Sequence, residues 1–269
     1  MNDLVPAASV CPVCTNRHES AAKRRRCAHC GTIWIPDRLG YVYDDSYPEQ
    51  RSHHDAFVSR CKQITLSNWV RRLGADLQGK RVLEVGFGGG ATLEWLQGQG
   101  ALTFGQEPVA ANRAAAERMG IPSERIADDL AKFEGTHFDF TLYLDAFEHL
   151  LNPVAHLSLL DRLTAPGSKA MLVLPVADSF SRAILGPAWP HDIQDHWVFY
   201  SSRGLEELWG RFGWRVSKRF YPLKYVSALS VSRHMQSKLG RGLPLGPLAK
   251  TALWLNCGER GFVFERSRQ

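Results

Sequence analysis

The stretch Val82-Leu-Glu84-Val-Gly86-Phe-Gly88-Gly-Gly90-Ala91 decides the fold of this chain. A short apolar run, typical of a buried strand, passes into a cluster of glycines and then into a helix through Leu93 and Leu96. Glycines between a strand and a helix let the backbone approach a ligand and leave the N–H groups of the first helical turn free for it. The stretch therefore predicts a ligand-binding turn in an α/β domain.

The sequence on either side repeats this alternation of strand and helix. Further apolar strands are predicted at residues 102–105, 138–144 and 169–174, with helices at 109–119 and about 157–163. Strands that alternate with helices indicate a parallel sheet covered on both faces, so the predicted fold class is α/β. Residues 214–232 and 259–266 read as two final strands, with an insertion at about 233–257 between them.

Length and composition limit the class of protein. The chain has 269 residues, of which 44% are hydrophobic and 22% charged, which excludes a disordered or fibrous protein. The longest run without Asp, Glu, Lys or Arg, residues 4–16, is too short for the ~20 apolar residues of a membrane span. Because no basic region precedes an apolar segment at the N-terminus, we expect a cytoplasmic protein.

Cysteine spacing predicts a metal site at the N-terminus. Four of the six cysteines form two C-x2-C pairs twelve residues apart, Cys11-Pro-Val-Cys14 and Cys27-Ala-His-Cys30. Two such pairs supply four soft thiolate ligands in a tetrahedron, the arrangement of a structural zinc site. A disulfide framework and a redox pair are the weaker alternatives, the first because a reducing compartment disfavours it. A closed site of four thiolates would stabilise this small segment and leave no position open for chemistry.

An acidic residue at the end of the second predicted strand points to an adenosine-containing cofactor. Glu107 follows Gly86 by 21 residues, the spacing at which this topology places an acid on the two hydroxyls of a ribose. Gly86-x-Gly88-x-x-Ala91 also fits the weak fingerprint of dinucleotide-binding proteins, so a nicotinamide cofactor remains an alternative. Glu84, two residues before the first glycine, favours a ligand with a cationic end over one with a pyrophosphate.

These motifs together resemble those of class I S-adenosylmethionine (SAM)-dependent methyltransferases. Glu84-Val-Gly86-Phe-Gly88-Gly-Gly90 is similar to motif I of that family, and Leu144-Asp-Ala-Phe-Glu148-His149-Leu150 is similar to its D-x-x-E-H segment. The resemblance covers residues 80–175 and implies a Rossmann-like seven-stranded sheet. The N-terminus resembles the zinc ribbon and tyrosine-containing arm of a bacterial subgroup, many of whose members act on sugars, surface glycans or other small metabolites.

The resemblance implies a role for each matching residue. Gly86, Gly88 and Gly90 would form the loop beneath the aminoacyl part of SAM, with Glu84 near its ammonium group and Glu107 on the ribose. Asp129 would bind the adenine amine, with Leu130 against the ring and Asp128 as the alternative acid. Asp145, at the end of the fourth strand, would border the transferable methyl group.

Three histidines are candidates for catalysis. Removing a proton from a hydroxyl or an acidic carbon requires a base, and histidine suits neutral pH. His149 follows the fourth strand, and His191 and His196 lie in a segment after the fifth strand that contains two tryptophans and two aspartates. We expect this segment, at about 186–200, to cover the acceptor as a lid, and His196 is the preferred base. An ordinary polar loop and a structural histidine are the alternatives.

The predicted organisation is a zinc ribbon at 1–40, a connector arm and helix at 41–75, and a SAM-binding domain at 76–269. The predicted function is methyl transfer to the oxygen or carbon of a small-molecule acceptor such as a sugar or glycan. One alternative is an RNA methyltransferase whose basic cluster, Lys23–Arg26, grips phosphates. A non-catalytic SAM-binding protein is the other. The sequence leaves the methylated atom and the oligomeric state open.

Overall fold

The computed structural model describes residues 9–17, 22–38, 56–186, 189–240, 242, 244–256 and 258–267. The chain divides into two compact units. The ribbon-bearing unit comprises Met1–Val42, Asp129–Phe220 and Gly258–Gln269, and the glycine-loop unit comprises Tyr43–Asp128 and Tyr221–Cys257. The tyrosine-containing arm predicted ahead of residue 51 lies outside the described residues.

Helices and strands alternate through the central part of the chain. The helices are α1 (Ala56–Leu73), α2 (Ala91–Gly98), α3 (Ala110–Arg118), α4 (Pro153–Arg162), α5 (Phe180–Leu185), α6 (Ser202–Gly210) and α7 (Ala228–Leu239). The strands are β1 (Arg25–Arg26), β2 (Ile33–Trp34), β3 (Arg81–Val85), β4 (Leu102–Gln106), β5 (Ile126–Ala127), β6 (Phe138–Leu144), β7 (Thr164–Pro175), β8 (Val198–Phe199), β9 (Trp214–Phe220), β10 (Lys224–Ser227), β11 (Ala252–Leu255) and β12 (Glu259–Arg266).

Seven of these strands form one mixed sheet in the order β5-β4-β3-β6-β7-β12-β9. In the glycine-loop unit β3, β4 and β5 run parallel. In the ribbon-bearing unit β6 runs parallel to β7, and β12 is antiparallel to both β7 and β9. Strands such as β6 are apolar nearly throughout because helices and loops cover both faces of a parallel sheet. The α/β prediction with a seven-stranded sheet is confirmed.

The insertion differs from its predicted limits. Residues 214–232 are not one strand, because β9 ends at Phe220 and Pro222 has no N–H group to continue a ladder. The chain instead forms the hairpin of β10 and β11, with α7 between them, so the excursion begins at Tyr221 and not at 233. The hairpin packs on α1, where Trp69 Nε1 donates to the Leu223 carbonyl (3.0 Å).

The predicted ribbon is joined to the rest of its unit by a shared sheet. Strands β1 and β2 pair antiparallel, and β2 pairs on its other side with β8, from the segment predicted to form a lid. Ile35 N also donates to the Trp197 carbonyl (2.8 Å). The N-terminal segment therefore fixes the backbone of residues 197–199 by strand pairing and by this hydrogen bond. None of the described helices is both long enough and apolar enough to cross a membrane.

Candidate functional site

The glycine loop joins β3 to α2 in a conformation that requires glycine. Gly86, Gly88 and Gly90 have φ values of 69°, 55° and 79°, in the left-handed region where a Cβ atom would be strained. Gly90 is also the N-cap of α2, and a Cβ atom there would lie 3.1 Å from the sulfur of Met119. The loop thus presents bare backbone and the N–H groups of a helix start, which suit the carboxylate of an aminoacyl group.

Glu84 provides a buried negative charge in β3, just before this loop. Its side chain is 1% exposed, and its Oε2 atom has no hydrogen-bond partner among the described residues. Burial raises the pKa of Glu84 to about 7, although the positive charge of Lys62 acts in the opposite direction. A buried carboxylate with an unused acceptor atom fits a ligand that brings a cation, such as the ammonium group of SAM.

Glu107 links the end of β4 to the glycine loop. Its Oε2 accepts a hydrogen bond from the N–H of Gly88 (2.8 Å), and its Oε1 accepts one from the N–H of Val109 (3.1 Å). Each carboxylate oxygen can accept two hydrogen bonds, so both atoms keep acceptor capacity for the hydroxyls of a ribose. The buried carboxylate is held in place by backbone donors, which fixes its position before any ligand binds.

The remaining residues assigned to the cofactor by resemblance lie in the ribbon-bearing unit. Asp129 is exposed and caps a short 3-10 turn, with its Oδ1 accepting from Ala131 N (2.8 Å), and Leu130 within that turn is buried. Asp145 is exposed directly after β6 and has a φ of 55°, which is uncommon for a residue other than glycine. Strained backbone of this kind often occurs at functional sites.

The four predicted zinc ligands lie together. The sulfur atoms of Cys11, Cys14, Cys27 and Cys30 are all within 4.8 Å of one another. Cys11 Sγ lies 3.7 Å from Cys30 Sγ, and Cys14 Sγ lies 3.4 Å from Cys27 Sγ, too far apart for disulfide bonds. Four sulfur atoms at ~2.3 Å from a zinc ion in a tetrahedron lie about 3.8 Å apart, so the cluster fits the donor set of a structural zinc site.

The ribbon holds the histidine-containing loop through an arginine. Arg38 Nη1 donates to Asp192 Oδ1 (3.1 Å) and to the carbonyls of Ile193 (2.6 Å) and His196 (3.2 Å). The other carboxylate oxygen of Asp192 pairs with Arg24. Burial alone would raise the pKa of Asp192, but the two guanidinium groups outweigh it and lower that pKa. The loop from 191 to 196 is therefore fixed by charge-assisted contacts, and its flanking tryptophans, Trp189 and Trp197, are buried.

The structure brings the three candidate histidines together. The ring centroids of His149 and His196 are 4.7 Å apart, and His191 stacks on His196 at 6.3 Å. His196 Nδ1 lies 2.8 Å from the His191 carbonyl, and His149 Nδ1 lies 3.2 Å from the Asp195 carbonyl. Burial lowers the pKa of His149, and burial together with the nearby His149 lowers the pKa of His196 to about 3. Both imidazoles are consequently neutral near pH 7.

Two buried glutamates complete this cluster and were not among the predicted site residues. Glu148 Oε1 lies 3.9 Å from His196 Nε2, and Glu259 Oε1 lies 3.6 Å from His191 Nε2. Glu148 belongs to the D-x-x-E-H segment, so its position beside His149 was a usable signal. Glu259 begins β12, more than sixty residues from His191 in sequence, and no local pattern indicates it.

Comparisons with known proteins identify a family and several relatives. A family model described as "Methyltransferase domain" matches residues 59–218. A ubiquinone biosynthesis O-methyltransferase of Cereibacter sphaeroides is 33% identical over 193 residues, covering 59% of this chain and 77% of that protein. A protein of the same name from Acinetobacter baumannii is 27% identical over 108 residues, 37% of this chain and 46% of its own length.

Solved structures share the fold at low sequence identity. A methyltransferase in complex with the Trm112 methyltransferase activator of Haloferax volcanii has a TM-score of 0.58 at 15% identity, covering 84% of this chain and all of that chain (100%). Magnesium protoporphyrin IX methyltransferase of Synechocystis with bound S-adenosylhomocysteine has a TM-score of 0.51 at 16% identity, covering 78% of this chain and 86% of that chain.

Proposed function

The chain belongs to the methyltransferase-domain family and is a SAM-dependent methyltransferase, and from that premise we propose that it methylates a hydroxyl group of a small molecule. The acceptor atom is the proposed part. Relatives that carry the name O-methyltransferase support oxygen as that atom and a small molecule as the acceptor. A sugar or glycan hydroxyl, the acceptor expected from the sequence, is one member of the proposed class.

The buried carboxylate of Glu84 is the observation that supports SAM as the ligand of the glycine loop. A carboxylate with an unused acceptor atom, in the strand that leads into left-handed glycines, suits a zwitterionic aminoacyl group. In the proposal Glu84 binds the ammonium group, the start of α2 binds the carboxylate, and Glu107 accepts from the ribose hydroxyls. Asp129, Leu130 and Asp145 keep the roles that the resemblance implies, as predictions.

Bound SAM supplies a methyl group on a sulfonium ion, whose C–S bond breaks as the new C–O bond forms, leaving S-adenosylhomocysteine. The hydroxyl proton must pass to a base of the protein, and we place the acceptor beside the histidine cluster of the ribbon-bearing unit. His196, the base preferred from the sequence, is kept as the first choice, and its Nδ1, 2.8 Å from a carbonyl, must carry the ring proton. Its Nε2 therefore keeps the lone pair that can take the hydroxyl proton, and His149 and His191 are the second choices.

The cysteine cluster is proposed to bind a structural zinc ion. The four sulfur atoms fit the tetrahedral donor set, and the segment that carries them is too small to bury a core of its own. Ser201 connects the cluster to α6, because its hydroxyl donates to the Cys30 carbonyl and accepts from Gly204 N (2.9 Å) at the start of that helix. The ion would thus stabilise both the ribbon and the start of α6.

An RNA acceptor is less well supported than a small molecule. An RNA acceptor was suggested by the basic cluster at Lys23–Arg26. Two of its arginines make contacts within the protein: Arg24 pairs with Asp192, and Arg25 Nε donates to the Ala22 carbonyl (3.4 Å). The tryptophans that flank the histidine loop, Trp189 and Trp197, are buried, so neither offers a surface on which bases could stack. RNA therefore stays the second candidate and enters the test as a competing acceptor.

The test combines cofactor binding with a panel of acceptors. Calorimetry with S-adenosylhomocysteine and with NADH should show binding of the first alone. Transfer from SAM is then followed by mass spectrometry for a catechol, a sugar nucleotide and a tRNA transcript. Methylation of the catechol or the sugar nucleotide supports the proposal, and the site of the added mass identifies the atom. Methylation of the transcript alone would replace the proposal with RNA methylation, and methylation of carbon in either small molecule would replace it with C-methylation.

A further inference from the structure

Three side chains of the histidine cluster converge in a second group with the character of a metal site. Glu148 and His149 lie in the 3-10 turn after β6, Phe147–His149, and His196 comes from the loop before β8. One ligand atom from each of the three residues lies within 4.8 Å of the other two. The group lies wholly within the ribbon-bearing unit and is separate from the four cysteines.

The hydrogen bonds of both histidines determine which ring nitrogen can bind a ligand. The Nδ1 atoms of His196 and His149 face the backbone carbonyls of His191 and Asp195, at 2.8 Å and 3.2 Å. A carbonyl only accepts, so each Nδ1 carries a proton and each Nε2 keeps its lone pair. Metal-binding histidines are commonly oriented in this way, with the second ring nitrogen donating to a carbonyl or carboxylate.

The carboxylate of Glu148 faces one of these lone pairs. Its Oε1 lies 3.9 Å from His196 Nε2, too far for a direct hydrogen bond between them. Ligand atoms at ~2.1 Å from an ion in a tetrahedron lie about 3.4 Å apart, so closing the pair by about half an ångström gives metal-ligand geometry. The carboxylate is completely buried and His196 is 4% exposed, so an ion would hold these atoms away from bulk water.

We propose that Glu148, His149 and His196 bind a divalent transition-metal ion. Two imidazole nitrogens and one carboxylate oxygen suit zinc, iron(II) or cobalt(II), whereas magnesium and calcium prefer oxygen ligands alone. Three protein ligands leave a coordination position open, unlike the closed site of four cysteines.

The open position suggests a use that rests on the proposed function. It would take the hydroxyl oxygen of the acceptor, and the ion would lower the pKa of that hydroxyl before methyl transfer. The Nε2 of His196 would then be a ligand and not the base. His191, with Glu259 Oε1 3.6 Å from its Nε2, is the remaining histidine of the cluster to receive the proton.

Cobalt(II) spectroscopy of the full-length protein tests the site without SAM or an acceptor. Cobalt bound to the four cysteines gives intense thiolate-to-metal charge-transfer bands, whereas cobalt bound to Glu148, His149 and His196 contributes only weaker d–d bands. Titration of the metal-free wild type should show both signals, and metal analysis should show one more bound ion than the cysteines can hold. Glu148→Gln or His149→Ala should weaken the second signal by more than about 100-fold, because each removes a direct ligand.

Glu259→Gln is the matched control, because it neutralises another buried glutamate that faces a histidine outside the triad. It should leave both cobalt signals unchanged. The charge-transfer bands verify that each variant is folded, and His149→Ala, at a half-buried position, serves if Glu148→Gln does not fold. A wild type that binds cobalt only at the cysteines, or a second signal unaffected by both triad variants, would overturn the site. Either result would leave SAM binding, measured separately, and the choice of His196 as base untouched.

Discussion

Replacing Glu84 by glutamine should stabilise the ligand-free protein and at the same time weaken SAM binding. Burial raises the pKa of this carboxyl from 4.5 to about 7, a difference that corresponds to about 3 kcal/mol. Well below pH 4.5 the folded and unfolded chains both hold the proton, and the raised pKa does not change the free energy of unfolding. As the pH rises to about 7 the unfolded chain ionises first, so stability is lost, and above pH 7 the folded protein carries the full cost.

Glutamine has nearly the same shape and no charge. At pH 8 the free energy of unfolding of Glu84→Gln should therefore exceed that of the wild type by up to about 3 kcal/mol, and at pH 4.5 the difference should fall below about 0.5 kcal/mol. The same substitution removes a charge-assisted hydrogen bond to the ligand's ammonium, worth about 1.5–3 kcal/mol, so S-adenosylhomocysteine should bind about 10–100-fold more weakly. Urea unfolding at both pH values and calorimetry measure the two effects.

The exposed carboxylate of Glu117, on α3 of the same unit, provides the control. Glu117→Gln should change neither stability nor affinity measurably. A Glu84→Gln protein that is less stable at pH 8 and binds S-adenosylhomocysteine as tightly as the wild type would refute the reasoning. It would mean that Glu84 satisfies a structural partner and does not contact the ligand.

Three further predictions concern the loops. Arg38→Ala, which removes contacts to Asp192 and to two loop carbonyls, should lower the free energy of unfolding by about 2 kcal/mol; it should also reduce kcat more than S-adenosylhomocysteine affinity, with the exposed Arg60→Ala as control. Removing zinc with a chelator, or Cys14→Ser, should lower Tm, whereas Cys61→Ala should leave the metal content of the protein unchanged. Gly88→Ala should cost about 1–2 kcal/mol and weaken S-adenosylhomocysteine binding, because φ is 55° there; Gly98→Ala, in open space within α2, should do neither.

Local sequence was enough to predict the elements whose residues lie close together along the chain. The strand, turn and helix around Gly86 follow one another within about fifteen residues, so their order is evident from the local sequence, and the structure adds that the glycines are left-handed. The two C-x2-C pairs are likewise local, and the structure brings their sulfur atoms together. Pro222 was a local signal that the prediction of one strand over residues 214–232 overlooked, since a residue without an N–H group marks the end of a strand.

The histidine cluster could be predicted only as a set of candidate residues. His149 and His196 are 47 positions apart, and they meet because the loop from 191 to 196 packs against the turn after β6. Glu259 reaches His191 from the last strand of the sheet, which depends on the antiparallel pairing of β12 with β7. Pairings between distant segments leave no periodic trace in the sequence, so Glu259 could not be singled out in advance. Glu148, directly before His149, was a local signal that the prediction did not use.

The ribbon positions the candidate base, even though its proposed zinc ion would have no coordination position open to a substrate. Its strand β2 pairs with β8, and Arg38 holds the backbone of the loop that supplies His196. The position of that imidazole therefore depends on the segment that carries the four cysteines, and if this segment binds the proposed zinc ion its folding depends on that ion. If zinc acted only on the stability of the ribbon, its loss would lower Tm and leave His196 in place. Because Arg38 and β2 connect the two, losing zinc should disturb the histidine cluster before the glycine loop, so methyl transfer should fail while S-adenosylhomocysteine still binds.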